Sequence, residues 1–220
     1  MENVIIKKEC KYHNFTDFKL NTQTNKSYCM QCARDKTNYS RWAQKIKAIN
    51  YLGGKCIKCQ NKFENISIYD FHHKENKIIE ISQLIAKNKK FESFIDELNK
   101  CELLCANCHC ELHDEEIKYI EMKTYNSHYM VQKRIEQKNK IIQLLGGKCC
   151  KCNYDKSNRA LHPHHLENKN FGIGGNGSYK TWDLILNEIK KCELLCSNCH
   201  RIKHSKFKNV NYEFLQKYLK

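Results

Sequence analysis

The sequence predicts an α+β chain built from small modules that metal ions staple together. Three observations lead to this fold class: the 220 residues include 15 cysteines, most of these cysteines stand in Cys-x-x-Cys pairs, and the chain contains a long internal sequence repeat. Only 40% of the residues are hydrophobic. Modules of this size have little apolar core, so metal binding is expected to supply much of their folding free energy.

Two segments of the chain repeat the same motifs about ninety residues apart. CELLCANCH at 101–109 matches CELLCSNCH at 192–200, YLGGKCIKC matches LLGGKCCKC, and FHHKENK matches PHHLENK. Each copy is predicted to run as helix, Cys-x-x-Cys turn, strand, loop with a short helix, strand and helix. In the first copy the first strand is expected at 65–71 and the final helix at 107–122, and the loop of the second copy contains the flexible segment GIGGNG. The opening helices, 41–52 and 131–145, both end at Gly-Gly, which suits helix termination.

A third pattern precedes both copies. Cys10, His13, Cys29 and Cys32 have the spacing C-x2-H-x15-C-x2-C, which is typical of a small zinc ribbon or knuckle. We therefore expect three domains: an N-terminal zinc-binding module at 1–40, a first repeat domain at 41–120, and a linker helix plus second repeat domain at 121–220.

In each copy, two Cys-x-x-Cys pairs can present four thiolates tetrahedrally to one zinc ion, a closed structural site. With the N-terminal set, these predict about three structural zinc ions. The two sets are Cys56, Cys59, Cys105 and Cys108 in the first copy, and Cys149, Cys152, Cys196 and Cys199 in the second. Of the remaining cysteines, Cys101 and Cys192 are expected on the inner face of a short strand, and no role is assigned to Cys110 and Cys150.

Each copy also contains three histidines at ligand spacing. Two of them stand four residues apart on the final helix and share one face of it: His109 with His113, and His200 with His204. A His-His pair closes the first strand of each copy, His72-His73 and His164-His165. Neighbours at a strand end point in different directions, so one can bind a metal while the next faces a substrate. Three imidazoles leave coordination positions open, as a catalytic metal requires.

Together, C-x2-C, a strand ending in HH, and LLC-x2-CH-x3-H on a helix resemble the HNH nuclease family with its ββα-metal fold. The KCELLCANCH motif is similar to that of the zinc-stapled HNH proteins of phages and mobile elements, a branch that is related to phage endonuclease VII. The resemblance covers about residues 41–115 and 135–205. It implies that His72 and His164 are metal ligands, completed by the helix pairs, and that His73 and His165 are general bases that activate water.

The middle asparagine of that family has two candidate positions. Its usual place holds Asn99 in the first copy and Lys190 in the second, whereas Asn107 and Asn198 match each other. The resemblance makes Asn107 and Asn198 catalytic candidates, while an Asn inside a knuckle also suits a tight turn. Asp70 and His162 align two residues before the first histidine and are candidate accessory ligands.

The net charge of the chain indicates the kind of partner that it binds. Thirty-nine Lys and Arg against 24 Asp and Glu give a net charge of +15, which favours a polyanion, and DNA above all. No apolar run approaches the roughly 18 residues of a membrane span. The N-terminus lacks the features of a secretory signal, so a cytoplasmic location is expected.

The sequence thus predicts a DNA endonuclease that uses a divalent ion, Mg²⁺, Mn²⁺, Ni²⁺ or Zn²⁺, to hydrolyse phosphodiester bonds. Two modules in one chain would form a monomeric pseudo-dimer in which each module cuts one strand. Two alternatives stay open: a zinc-scaffolded DNA-binding or regulatory protein without catalysis, and a ribonuclease on the same scaffold. The choice among homing, restriction, junction resolution and packaging also stays open.

Overall fold

The computed structural model describes residues 3–117, 125–173 and 180–219. Within these ranges the chain mixes helices with small sheets, of which one has three strands and two have two strands. The strands are β1 (Asn3–Cys10), β2 (Asn14–Asn21), β3 (Lys26–Cys29), β4 (Tyr69–His73), β5 (Cys101–Cys105), β6 (Leu161–His165) and β7 (Cys192–Cys196). The helices are α1 (Met30–Tyr51), α2 (Ile81–Ala86), α3 (Ile95–Leu98), α4 (Ala106–Ile117), α5 (Tyr125–Leu144), α6 (Trp182–Ile189), α7 (Ser197–His204) and α8 (Tyr212–Leu219). None of the helices in the described ranges has the length and apolar character to span a membrane.

Contacts divide the chain into two compact units. One contains the stretch through Gly53, His73–Cys101 and the stretch from Asn209, and the other contains Gly54–His72 and Glu102–Lys208. In the first unit, β1, β2 and β3 form an antiparallel meander in which Cys10 pairs with Asn14. This pairing places the turn after β1 close to the start of α1.

Helix α1 runs without a break from Met30 to Tyr51. The position where the sequence placed the end of the first module, residue 40, therefore lies inside this helix. Its first turn is capped by Cys29, whose sulfur accepts a hydrogen bond from the amide of Cys32. Helix α8 packs on α1 through Tyr39 and Phe214, whose ring centroids lie 4.9 Å apart.

In the second unit, β6 and β7 pair antiparallel, with Leu161 opposite Cys196 and His165 opposite Cys192. Their inner faces pack on the end of α5 in a core of Ile142, Cys149, Leu161, Leu194, Leu195 and Cys196, all essentially buried. Helix α5 ends at Leu144, next to the Gly-Gly pair as the sequence predicts, and Gly146 and Gly147 both adopt positive φ. The Gly147 amide donates to the carbonyl of Ile142 at 2.9 Å.

The first repeat follows the same order, with β4 paired to β5 and α4 after it. The strand predicted over 65–71 differs, because Ile66–Ile68 forms a 3-10 turn and the strand begins at Tyr69. The cause is Asn65, whose side chain accepts from the amide of Ser67 and caps the turn. Ser157 caps the equivalent turn before β6. The end of the predicted final helix at 118–122, and most of GIGGNG, lie outside the described residues.

Within the second unit, the two repeats contact each other through equivalent residues. The amide of Asn107 donates to Oδ1 of Asn198 at 3.2 Å, and the amide of Asn198 donates to Oδ1 of Asn107 at 3.0 Å. Such mutual exchange between matching residues is the mark of an isologous contact around a two-fold axis. The two repeats therefore meet at this point through residues that match each other in sequence.

The buried leucine of β6, Leu161, provides a test of this core. Leu161→Ala should lower the free energy of unfolding by about 2–5 kcal/mol, because it removes buried methyl groups and leaves a cavity. Leu161 is fully buried, whereas Leu166, five residues later, is 61% exposed. Leu166→Ala is therefore the matched control and should change stability by less than about 0.5 kcal/mol. Chemical denaturation of both variants with zinc present measures the difference, and equal losses would contradict the assigned core.

Candidate metal centres

Among the residues that it describes, the structure brings together five clusters of potential metal ligands. In each, the ligand atoms all lie within 4.8 Å of one another, and the clusters are the same five sets that spacing predicts. They are Cys10, His13, Cys29 and Cys32; Cys56, Cys59, Cys105 and Cys108; Cys149, Cys152, Cys196 and Cys199; His72, His109 and His113; and His164, His200 and His204. Sulfur and imidazole donors in sets of four suit structural zinc, and sets of three imidazoles suit a divalent ion with open positions.

The thiol clusters of the repeats are held by the same backbone turn in both copies. The amide of Gln60 donates to the carbonyl of Cys56 at 2.8 Å, and the amide of Asn153 donates to that of Cys149 at 2.9 Å. Gln60 and Asn153 both adopt positive φ, which folds the Cys-x-x-Cys segment back on itself. The second pair is supplied by the junction of a strand and a helix. There the amide of Cys199 donates to the sulfur of Cys196 at 3.5 Å.

The protons of these thiols are distributed unevenly. A hydrogen bond from Cys108 lowers the pKa of Cys105 to about 5, while Cys105 raises that of Cys108. In the second repeat, burial raises the pKa of Cys199, whereas backbone hydrogen bonds outweigh burial and lower that of Cys149 to about 7. Four sulfurs this close cannot all ionise without a compensating cation, and Zn²⁺ is the ion that this donor set fits.

The N-terminal cluster lies between the β1–β2 turn and the start of α1. Nδ1 of His13 is 3.3–3.6 Å from the sulfurs of Cys10, Cys29 and Cys32. Its other ring nitrogen, Nε2, is 2.8 Å from a carboxylate oxygen of Asp35. A carboxylate behind a histidine fixes the tautomer that turns the lone pair toward a metal.

In the first imidazole cluster, Nδ1 of His72 and Nε2 of His113 lie 3.3 and 3.0 Å from Nε2 of His109. Nδ1 of His109 is 2.9 Å from Asp70, so its proton is on that side and its lone pair faces the other two rings. Asp70 is thus placed behind a ligand candidate. Burial raises the pKa of Asp70, but hydrogen bonds from His109 and Arg201 outweigh burial and lower it to about 2. The carboxylate is therefore ionised at neutral pH.

The second cluster has the same three rings in a similar arrangement. Nε2 of His204 lies 3.3 Å from Nδ1 of His164, and the His200 ring centroid is 5.2 Å from that of His164 and 4.7 Å from that of His204. Burial, followed by the neighbouring His204, lowers the pKa of His200 to about 4. The ring is neutral at neutral pH, which is the form that binds metals.

The second histidine of each HH pair meets a buried glutamate. Nε2 of His165 lies 3.0 Å from Oε1 of Glu188, and Nε2 of His73 lies 3.0 Å from Oε1 of Glu97. The side chains are 13% and 2% exposed in the His165–Glu188 pair. Because a carboxylate only accepts hydrogen bonds, the proton sits on Nε2 and leaves Nδ1 as the basic nitrogen.

These glutamates are held by further contacts that recur in both copies. Glu188 accepts from the amide of Asn170 at 2.8 Å and from Nζ of Lys191 at 3.1 Å. Burial raises the pKa of Glu188, but these hydrogen bonds lower it to about 2. Glu97 accepts from the amides of Ile78 and Ile79 and from Lys100 in the same way.

Sequence reasoning missed both glutamates. The signal was present, since each copy has a glutamate four residues, and a lysine one residue, before the cysteine that opens its second strand. The other predicted residues have different surroundings. Asn107 and Asn198 bond each other's amides, which favours a structural role for their side chains. Asn99 accepts from the hydroxyl of Tyr51 at 2.7 Å.

No family model matches the chain, and no curated protein or solved structure is significantly similar to it. The assignment of a function therefore depends on the geometry of these clusters.

The thiol clusters predict the metal content of the purified protein. A thiol-specific mercurial should release about three zinc ions per chain, because eleven cysteines and His13 form three sets of four. Cys196→Ser should lose about one of them and unfold the second repeat, since metal binding supplies folding free energy. Cys150→Ser is the control, because Cys150 is exposed and outside the clusters, and should keep all of them. One zinc ion or fewer in the folded wild type would refute the assignment.

Proposed function

We propose that this protein is a divalent-metal-dependent endonuclease of the HNH type that hydrolyses phosphodiester bonds in DNA, with one catalytic centre in each repeat. The observation that carries the proposal is the recurrence, in both copies, of a three-imidazole cluster followed along the strand by a histidine whose ring is oriented by a buried glutamate. A structural module needs only the thiols, so the imidazole clusters call for a different role.

The metal would be held by His164, His200 and His204 in the second repeat and by the matching residues in the first. A divalent ion with open positions supplies stabilisation of the negative charge that develops on phosphate and on the leaving 3′ oxygen. His165 then acts as the general base. Its Nε2 proton is held by Glu188, so Nδ1 takes the proton from the attacking water.

Glu188 keeps the base in one tautomer and stabilises the imidazolium that forms when the proton is taken. A buried carboxylate can do both because its own pKa lies near 2 and it stays ionised. In the first repeat, His73 and Glu97 have the same separation and the same role in the proposal. The glutamate contacts of His73 and His165 support the assignment of these two histidines as the bases, which the HNH resemblance implies.

A basic groove on the second unit supports nucleic acid as the substrate. It lies along α5 and is lined by Lys133, Arg134, Lys140 and Lys180, with Trp182 at one side and Glu136 as the acidic member of its lining. Cations at this density suit a phosphate backbone, and an aromatic face suits a stacked base. The net charge of +15 acts in the same direction.

The two bases can be tested separately on supercoiled plasmid with Mg²⁺, Mn²⁺, Ni²⁺ or Zn²⁺. Wild type should give linear DNA, whereas His73→Ala and His165→Ala should each accumulate nicked circles, because each repeat cuts one strand. The double variant should lose at least about 100-fold in rate, the range of general-base catalysis. Leu166→Ala, next to His165 and exposed, is the control and should behave as wild type.

Three outcomes would contradict the proposal in different ways. Binding of DNA without cleavage under any metal would favour the regulatory alternative. Cleavage of RNA in preference to DNA of the same sequence would favour the ribonuclease. A single variant that still makes linear DNA as fast as wild type would show that its repeat does not cut.

The groove predicts a salt-dependent affinity. Lys133→Ala combined with Lys140→Ala should weaken DNA binding uniformly across sequences and reduce the slope of log K against log salt by about 1 per lysine, because each lysine that contacts a phosphate displaces counterions. Glu136→Gln removes an opposing charge from the same groove and should leave the affinity equal or higher. Fluorescence anisotropy over a salt series measures both, and an unchanged slope in the double variant would place the DNA elsewhere.

A further inference from the structure

The two imidazole clusters differ in what stands behind their central histidine. In the first repeat, Asp70 Oδ2 is 2.9 Å from Nδ1 of His109, the nitrogen opposite the one that faces His72 and His113. A carboxylate in this place orients the ring and fixes its tautomer. Loss of such a partner typically reduces metal affinity by about 10–100-fold.

The carboxylate is itself held by the other repeat. Arg201 of α7 donates to Asp70 through both arms of its guanidinium, Nη1 to Oδ1 at 2.6 Å and Nη2 to Oδ2 at 2.9 Å. Nη1 also lies 3.3 Å from the carbonyl of Ser67, at the 3-10 turn before β4. A bidentate pair of this kind fixes the plane of the carboxylate as well as its position. Because the charge of Arg201 offsets that of Asp70, the main effect on His109 is orientation.

The matching positions in the second repeat carry different chemistry. His162 replaces Asp70, and its ring stacks on His200 at a centroid distance of 5.8 Å. Nε2 of His162 is 2.8 Å from Oγ of Ser197, which donates to the carbonyl of Ala160. Cys110 of the first repeat replaces Arg201, and its sulfur lies 3.5 Å from Oγ of this serine. The second cluster therefore has the imidazole ring of His162 at the position where the first cluster has the carboxylate of Asp70, which Arg201 holds in place.

We propose that the second repeat completes the metal centre of the first: Arg201 holds Asp70 behind His109, and the first centre therefore binds divalent metal more tightly than the second. The inference rests on the metal centres of the proposed function and adds that the two centres differ in metal affinity. Asp70 and Arg201 are positioning residues, since both act through His109. Filling of the first centre depends on correct packing of the two repeats within the second unit.

The test is a titration of the zinc-loaded protein with Co²⁺, followed by calorimetry and by visible absorption, which distinguishes imidazole from thiolate ligands. Wild type should show two affinities at least about tenfold apart. His113→Ala should remove the tighter event and His204→Ala the weaker. Asp70→Asn should weaken only the tighter event, by about tenfold or more, and His162→Asp should strengthen only the weaker.

Arg201 needs a separate comparison, because its loss could disturb the packing of the repeats. Arg201→Lys keeps the charge but not the two-armed geometry, and it should weaken the tighter event while the thermal unfolding temperature stays within a few degrees of wild type. Two equal affinities in wild type, loss of the tighter event in His204→Ala, or an Asp70→Asn variant that binds like wild type would each overturn the inference.

The cobalt titration and the plasmid assay test the affinity difference and the nuclease proposal separately. Two unequal cobalt sites without plasmid cleavage would keep the inference and reject the nuclease. Cleavage with two equal sites would reject the inference alone. Absence of cobalt binding at either cluster would reject both the affinity difference and the metal centres on which it rests.

Discussion

Sulfur atoms packed against one another need a positive charge among them, and in this protein that requirement organises each module. The four thiols of each repeat lie within 4.8 Å of one another, and all but the exposed Cys152 are buried or half-buried. Without a cation they must share protons unequally, as the opposite pKa shifts of Cys105 and Cys108 indicate. The turn after Gly-Gly, the end of the second strand and the start of the final helix all meet there. Removing the charge would leave only small apolar cores to hold these elements together.

The same thiols set the positions of the imidazoles. In both copies the last cysteine of the cluster is followed directly by the first helix histidine, Cys108 by His109 and Cys199 by His200. Because the final helix begins at the sulfur cluster, the cluster fixes the direction in which the first helix histidine points. The second histidine, four residues later, then lies on the same face of the helix as the first. The strand opposite then supplies the third ring. The thiol and imidazole clusters are therefore coupled through one turn of helix, which explains why the two kinds of cluster recur together.

Much of this arrangement could be predicted from the sequence. Metal-ligand spacing identified the five sets of side chains, since Cys-x-x-Cys and H-x3-H fix distances along a known local geometry, and Gly-Gly marked where α5 ends. The strand expected from 65 began only at Tyr69, because side-chain capping by Asn65 competes with strand pairing and β-propensity does not register it. The continuity of α1 through residue 40 was hidden by polar residues that suit an exposed helix as well as a linker. The HNH assignment itself stays a proposal.

What the sequence could not provide was the pairing of residues across long separations. Glu97 and Glu188 could have been found from their recurrence in both copies. The pairing of Asp70 with Arg201 could not, since the two residues are 131 positions apart and the matching positions carry His162 and Cys110 instead. Comparison of the two sequence copies reveals the residues that they share. A contact that occurs in one copy alone can be found only from the three-dimensional structure.

The reciprocal bond between Asn107 and Asn198 has a consequence for descent. Each of these residues donates its amide to the side-chain oxygen of its own equivalent, as matching residues do across the axis of a two-fold homodimer, so fusion of two such chains would keep the contact unchanged. In a homodimer, however, every substitution appears on both sides at once. An arginine facing an aspartate on one side and a cysteine facing a serine on the other can be encoded only when each half has its own coding copy, as it has in a tandem chain. A tandem chain thus lets the two halves differ at these positions while their shared contact stays symmetrical.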